Sequence, residues 1–109
     1  MEQDPVVIPP ARKLTLRRVS TGEIIPVHGE RFVLGRAPGL ADHVITGNLR
    51  ISRVHASIIY SNDTYYIQDE GSTNKTKVNG AVIAPYTPIA LRHYDTVELD
   101  TEQFIILEY

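Results

Sequence analysis

Arg36, Ser52, His55, Asp69, Thr73, Asn74 and Lys75 are the residues of this 109-residue chain whose types and spacing could do chemistry. Most of them fall in two polar stretches, Arg50-Ile51-Ser52-Arg53-Val54-His55 and Asp69-Glu70-Gly71-Ser72-Thr73-Asn74-Lys75-Thr76-Lys77. The second stretch offers backbone N–H groups, hydroxyls, a carboxamide and two ammonium groups at one point, which are the parts of an anion cradle. Arg36 adds a guanidinium fork at the end of an apolar run, a presentation suited to bidentate recognition of phosphate or carboxylate. Two other chemistries draw on the same residues. Ser52, His55 and Asp69 have the groups of a hydrolytic triad, which needs the base within hydrogen-bond reach of the nucleophile and oriented by a third group. The strand–turn–helix setting of a hydrolase elbow is absent from the pattern, so no catalytic residue is expected. Lys75-Thr76 also looks like the end of a nucleotide P-loop. That motif needs glycine directly before the lysine and again five residues earlier, where Asn74 and Asp69 stand.

The elements that must position these residues are short apolar runs bounded by turn signals, of which Leu14–Val19 and Tyr65–Gln68 alternate at period two. Leu14–Val19, Ile24–Val27, Arg31–Arg36, His43–Ile45, Ala56–Tyr60, Tyr65–Gln68, Ile89–Leu91, Thr96–Leu99 and Gln103–Leu107 read as strands. Asn79-Gly80, between Val78 and Ala81-Val82-Ile83, is a hairpin turn, because both of its residues must reach positive φ. Pro26 suits an edge strand. Thr46 to Val54 is a long polar connection, and no window keeps a 3.6-residue apolar period. The pattern predicts an all-β fold, a two-sheet β-sandwich of about eleven short strands with the polar loops gathered at one end. Residues 13–109 form that domain in this reading, and residues 1–12, with three prolines, form a flexible N-terminal tail.

Composition narrows the partners. Eleven Lys and Arg against thirteen Asp and Glu give a net charge of −2, which provides no general attraction to nucleic acid or acidic membranes. Yet Arg36, Arg50, Arg53, Lys75 and Lys77 all lie in or beside the polar loops, so one end of the molecule is locally positive. The chain has no cysteine, which removes disulfides and thiolate metal sites and suits a reducing, cytoplasmic setting. His28, His43 and His93 are scattered without metal-ligand spacing. No apolar run approaches the roughly 20 residues of a membrane span. Oligomeric state is open.

Taken in order, Gly35-Arg36, Ser52-Arg53-Val54-His55, Gly71-Ser72-Thr73-Asn74-Lys75-Thr76 and Val78-Asn79-Gly80 resemble the motifs of a forkhead-associated domain, and the resemblance spans Leu14 to Leu107. It implies a β-sandwich whose apical loops bind phosphothreonine peptides, a non-catalytic signalling role and no cofactor. By position, Arg36 resembles the main phosphate clamp, with Ser52, the backbone N–H of Arg53 and Thr73 completing the phosphate site. Asn74 resembles the residue that bonds the peptide backbone and Arg50 one that selects an acidic peptide residue, while Lys75, on its own chemistry, adds a cation beside the bound phosphopeptide. Gly35, His55, Asn79 and Gly80 are expected to be structural, with His55 bracing the loops. Two positions depart from the family pattern: Lys75 and Tyr94 stand where glycine is common. A phosphate-independent assembly scaffold on the same sandwich is the alternative.

Overall fold

The computed structural model describes residues 13–108, so the tail expected over residues 1–12 lies outside the described residues. Within them the backbone forms eleven strands and no helix: β1 (Leu14–Arg18), β2 (Ile24–Pro26), β3 (Arg31–Gly35), β4 (His43–Val44), β5 (Ala56–Ser61), β6 (Thr64–Asp69), β7 (Thr76–Val78), β8 (Ala81–Val82), β9 (Ile89–Ala90), β10 (Thr96–Leu99) and β11 (Glu102–Glu108). One sheet runs β2-β1-β11-β10-β7-β8, the other β4-β3-β5-β6-β9. The all-β sandwich read from the sequence is the fold observed. β2 is an edge strand, where the missing N–H of Pro26 breaks no ladder.

Alternation decides what enters the core. In β6, Tyr65, Ile67 and Asp69 turn inward while Thr64, Tyr66 and Gln68 turn out. Leu14 and Leu16 of β1, Phe104 and Ile106 of β11, Phe32 and Leu34 of β3, and Ile58 of β5 join Ile67 in one cluster. Burying each such side chain stabilises the fold by about 1.5–3 kcal/mol. Asp69 follows in the same inward row and is therefore carried inside as a carboxylate, 1% exposed.

The strand ends gather the loops. Leu34 lies opposite Ala56, and Ala56 opposite Asp69, so β3 and β6 end where β5 begins. The connections 36–42, 45–55 and 70–75 consequently emerge together. The β10–β11 turn reaches the same end, where the Asp100 N–H donates to the Lys75 carbonyl at 3.2 Å.

Several boundaries differ from the sequence reading. β3 stops at Gly35, leaving Arg36 just beyond it. β7 begins at Thr76, because its fully buried hydroxyl bonds Asp69 and its backbone pairs with Leu99. Thr76 and Lys77 are therefore strand and not loop. The long polar connection is pinned by two core residues, Ile45 and Ile51. The Asn79-Gly80 hairpin is as expected, with φ of 50° and 85° between paired Val78 and Ala81.

Candidate functional site

Gly35 sets the first loop against the second. A Cβ there would lie 2.0 Å from the Arg53 carbonyl oxygen, so only glycine lets the backbones touch. Across this contact the N–H groups of Arg36 and Ala37 donate to the carbonyls of Ser52 and Arg53 at 3.1 and 3.2 Å. Arg36 then folds its half-buried stem so that Nε donates to the Ile51 carbonyl at 2.9 Å. No carboxylate among the described residues pairs with it, and its Nη groups are left for the cleft it lines.

His55 joins the second loop to the third. Its ring is fully buried, Nδ1 accepts from the Ser52 N–H at 3.0 Å, and Nε2 lies 3.0 Å from the Lys75 carbonyl. An Nδ1 that accepts from a backbone N–H fixes the neutral tautomer with its proton on Nε2, which donates to Lys75. Burial, outweighing the Lys75 hydrogen bond, holds the His55 pKa below its ordinary value. Lys75 takes φ of +72° to turn its carbonyl toward His55 and Asp100. The glycine usual at this position in the resembling family is thereby explained, and lysine adopts the same left-handed conformation. Tyr94, the other departure, takes φ of +71°.

The third loop is folded around Asp69. Oδ1 accepts from the hydroxyls of Ser72 and Thr76 at 2.5 and 2.7 Å, and Oδ2 from the N–H groups of Gly71 and Ser72, each at 3.0 Å. Burial pushes the Asp69 carboxyl up, but these four bonds outweigh it and leave the pKa lowered. Ser52 Oγ accepts from the Thr73 N–H at 3.1 Å, which leaves its own proton free to donate. Asn74 and Arg50 pair reciprocally, Nδ2 to the Arg50 carbonyl at 2.8 Å and an Arg50 Nη to Oδ1 at 3.2 Å. Arg50 Nε also bonds both oxygens of Asp100 at 3.1 Å.

Between the loops lies a polar cleft of about 520 Å³, lined by Arg36, Leu40, Ser52, Arg53, Val54, Gly71 and Thr73. Four of the expected site residues, Arg36, Ser52, Arg53 and Thr73, thus share one wall system. Asn74 and Arg50 form a joined pair beside it. Lys75 is exposed, and Lys77 lies on the sheet opposite Glu98. The Arg53 N–H has no hydrogen-bond partner among the described residues, as an anion donor requires. Asn79 braces Asp95 and Thr96 at 3.0 and 2.9 Å, a structural place.

The triad geometry is not assembled. Ser52 meets His55 through its backbone N–H and not its hydroxyl, both ring nitrogens are engaged, and the Asp69 carboxylate bonds Gly71, Ser72 and Thr76 and not the ring. Sequence reasoning gave Asp69 no structural role and assigned none to Asp100, Leu40 or Val54. The signal for Asp69 was present: an inward strand position directly before Gly-Ser-Thr, where a carboxylate can accept from the following N–H groups.

Comparisons with known proteins match most of the chain. A family model described as the FHA domain matches residues 32–100. The FHA domain of the CT664 protein from Chlamydia trachomatis is similar at 29% identity with a TM-score of 0.78, over 89% of this chain and 98% of that one. The N-terminal FHA domain of Rad53p from Saccharomyces cerevisiae, whose structure holds a phosphothreonine peptide, shares the fold at 18% identity and a TM-score of 0.77, over 87% of this chain and 92% of that one. A probable E3 ubiquitin-protein ligase, dma1 of Schizosaccharomyces pombe, is 28% identical over 82 residues, 72% of this chain. The aligned part makes up 31% of that protein's length.

Proposed function

The chain belongs to the FHA domain family, and from that premise we propose that it is a non-catalytic module binding phosphothreonine-containing segments of a partner protein. The observation that carries this reading is the convergence of Arg36, Ser52, Arg53 and Thr73, from three separate loops, on one polar cleft. A phosphothreonine at pH 7 carries about −1.5 to −2 charge and three acceptor oxygens. Arg36 clamps that dianion with its free Nη groups. Ser52 donates its hydroxyl proton, Arg53 its backbone N–H, and Thr73 its hydroxyl.

Asn74 contacts the peptide backbone. Its pairing with Arg50 uses one amide proton and one lone pair, so a second of each is available. Arg50 keeps three N–H donors for an acidic peptide side chain, after Asp100 and Asn74 have taken two. Lys75 adds positive charge beside the peptide. Residues 13–109 act as the binding domain, and residues 1–12 as a tail leading to it. The setting is one where serine/threonine kinases work, the cytoplasm. No ligase activity is carried over from the fission-yeast relative, of which only 31% is aligned.

Each hydrogen bond to a charged group contributes about 1.5–3 kcal/mol, and ordering the peptide offsets part of the sum. A dissociation constant near micromolar, about −8 kcal/mol, is the expected scale. The test is fluorescence anisotropy with a degenerate phosphothreonine peptide pool, alongside phosphoserine and unphosphorylated pools. Arg36→Ala should weaken phosphothreonine binding about tenfold or more while leaving the fold intact. Equal binding of phosphorylated and plain peptides, unchanged in Arg36→Ala, would overturn the reading in favour of a phosphate-independent scaffold.

A further inference from the structure

We propose that Arg18 and Glu102 are positioning residues that hold the loop 45–51 from beneath, so that Arg50 meets Asn74. The proposal rests on the phosphopeptide reading of the cleft, but both residues lie outside the 32–100 span that the family model matches. Arg18 ends β1 and Glu102 opens β11, and they are only 5% and 8% exposed. Arg18 Nε donates to Glu102 Oε2 at 2.9 Å, and Ser20 Oγ donates to the same oxygen. The pair then reaches upward twice: Arg18 Nη2 donates to the Thr46 carbonyl at 2.7 Å, and Asn48 Nδ2 to Glu102 Oε1 at 3.4 Å.

From Asn48 the bonds run on to the peptide-contact residue. Asn48 Oδ1 accepts from the Arg50 N–H at 3.0 Å, and the Arg50 carbonyl accepts from Asn74 Nδ2 at 2.8 Å. Between the core residues Ile45 and Ile51 none of residues 46–50 is buried, so no apolar side chain anchors this stretch. The ion pair supplies the anchors instead. The Arg18 hydrogen bond, working against burial, holds the Glu102 pKa down at about 2, so the carboxylate is charged at every physiological pH. A buried ion pair is weak evidence for stability, because apolar residues of similar volume often serve the fold as well or better. What they cannot supply is the bond to Thr46 and the bond from Asn48.

That difference separates positioning from mere structure. Two variants are compared with the parent chain: Asn48→Ala, which cuts the relay at a half-exposed position, and the double variant Arg18→Met with Glu102→Leu. Amide hydrogen exchange is read over residues 45–51 without peptide, and affinity is read with the phosphothreonine peptide pool. Both variants should exchange faster at Arg50 and Ile51. Both should lose affinity by roughly 2- to 30-fold, the span of couplings carried through hydrogen-bonded networks. The thermal midpoint should stay near the parent's in Asn48→Ala and stay or rise in the double variant. Unchanged loop exchange, or faster exchange with undiminished affinity, in a folded variant overturns the proposal. If the double variant does not fold, Asn48→Ala decides the matter alone. A parent chain that ignores phosphopeptides would sink the functional reading, and the exchange data would still decide whether the pair holds the loop.

Discussion

At position 35 the requirement for glycine is one of space. Its φ is not left-handed, but an added Cβ would meet the Arg53 carbonyl carbon at 2.7 Å and the Val54 Cα at 3.1 Å, both backbone atoms that cannot rotate away. Gly35→Ala should therefore destabilise by about 1–3 kcal/mol, the range of overpacking, and separate the loops that carry Arg36 and Ser52. Urea denaturation checks this, and a loss under about 0.5 kcal/mol would mean the loops part freely. At position 75 the requirement is conformational. Lysine at φ of +72° carries about 1 kcal/mol of strain that glycine does not. Lys75→Gly should raise stability by up to about that amount while removing an ammonium from the rim. A lower unfolding midpoint in Lys75→Gly would refute the strain.

At the scale of elements, two buried polar side chains hold the second and third loops together, and the backbone contact at Gly35 adds the first. Asp69 closes the third loop on itself, and His55 ties it to the second. Because the folded pKa of His55 is depressed below its ordinary 6.5, the folded state binds fewer protons than the unfolded one as the pH falls past that value. The stabilisation is present above pH about 6.5 and is lost as pH falls through the lower folded value. Protonation also removes the acceptor for the Ser52 N–H. A nitrogen-detected NMR titration should find the Nε2-protonated tautomer at neutral pH and a midpoint below 6.5. A midpoint above 6.5 would refute the buried neutral brace. Asp69 works in the same direction at lower pH, since its lowered pKa makes its four bonds depend on the carboxylate.

For the whole molecule, net charge and local charge point in opposite directions. The chain is −2 overall, yet the cleft is lined by Arg36 and Arg53 and by no carboxylate. That distribution suits a concentrated anion and provides no bulk attraction. A ligand that binds only the folded sandwich must also stabilise it. At a hundredfold excess over the dissociation constant that linkage contributes about 2.7 kcal/mol. Differential scanning calorimetry should accordingly find a higher unfolding temperature with phosphothreonine peptide and none with the plain peptide. An equal rise with both would mean that phosphate contributes nothing to the contact.

Much of this was legible in order along the chain. Short β-prone runs separated by turn signals, with no sustained 3.6-residue apolar period, determined the all-β sandwich, because such runs bury their apolar faces only by pairing into stacked sheets. Asn79-Gly80 determined the hairpin, because both residues need positive φ. The spacing of Gly35-Arg36, Ser52 to His55 and Gly71 to Thr76 placed the phosphate-site candidates on loops, because each motif falls just outside an apolar run. The sequence could not say that Gly35 answers to a carbonyl eighteen positions away, that Asp69 is a loop's centre and no triad member, or that Arg50 is bound to Asp100. Nor could it say that a buried ion pair from β1 and β11 lies under the loop that carries Arg50. Those facts depend on pairs far apart in sequence whose distance is fixed only when the two sheets close on each other, and side-chain types along a chain carry no record of that distance.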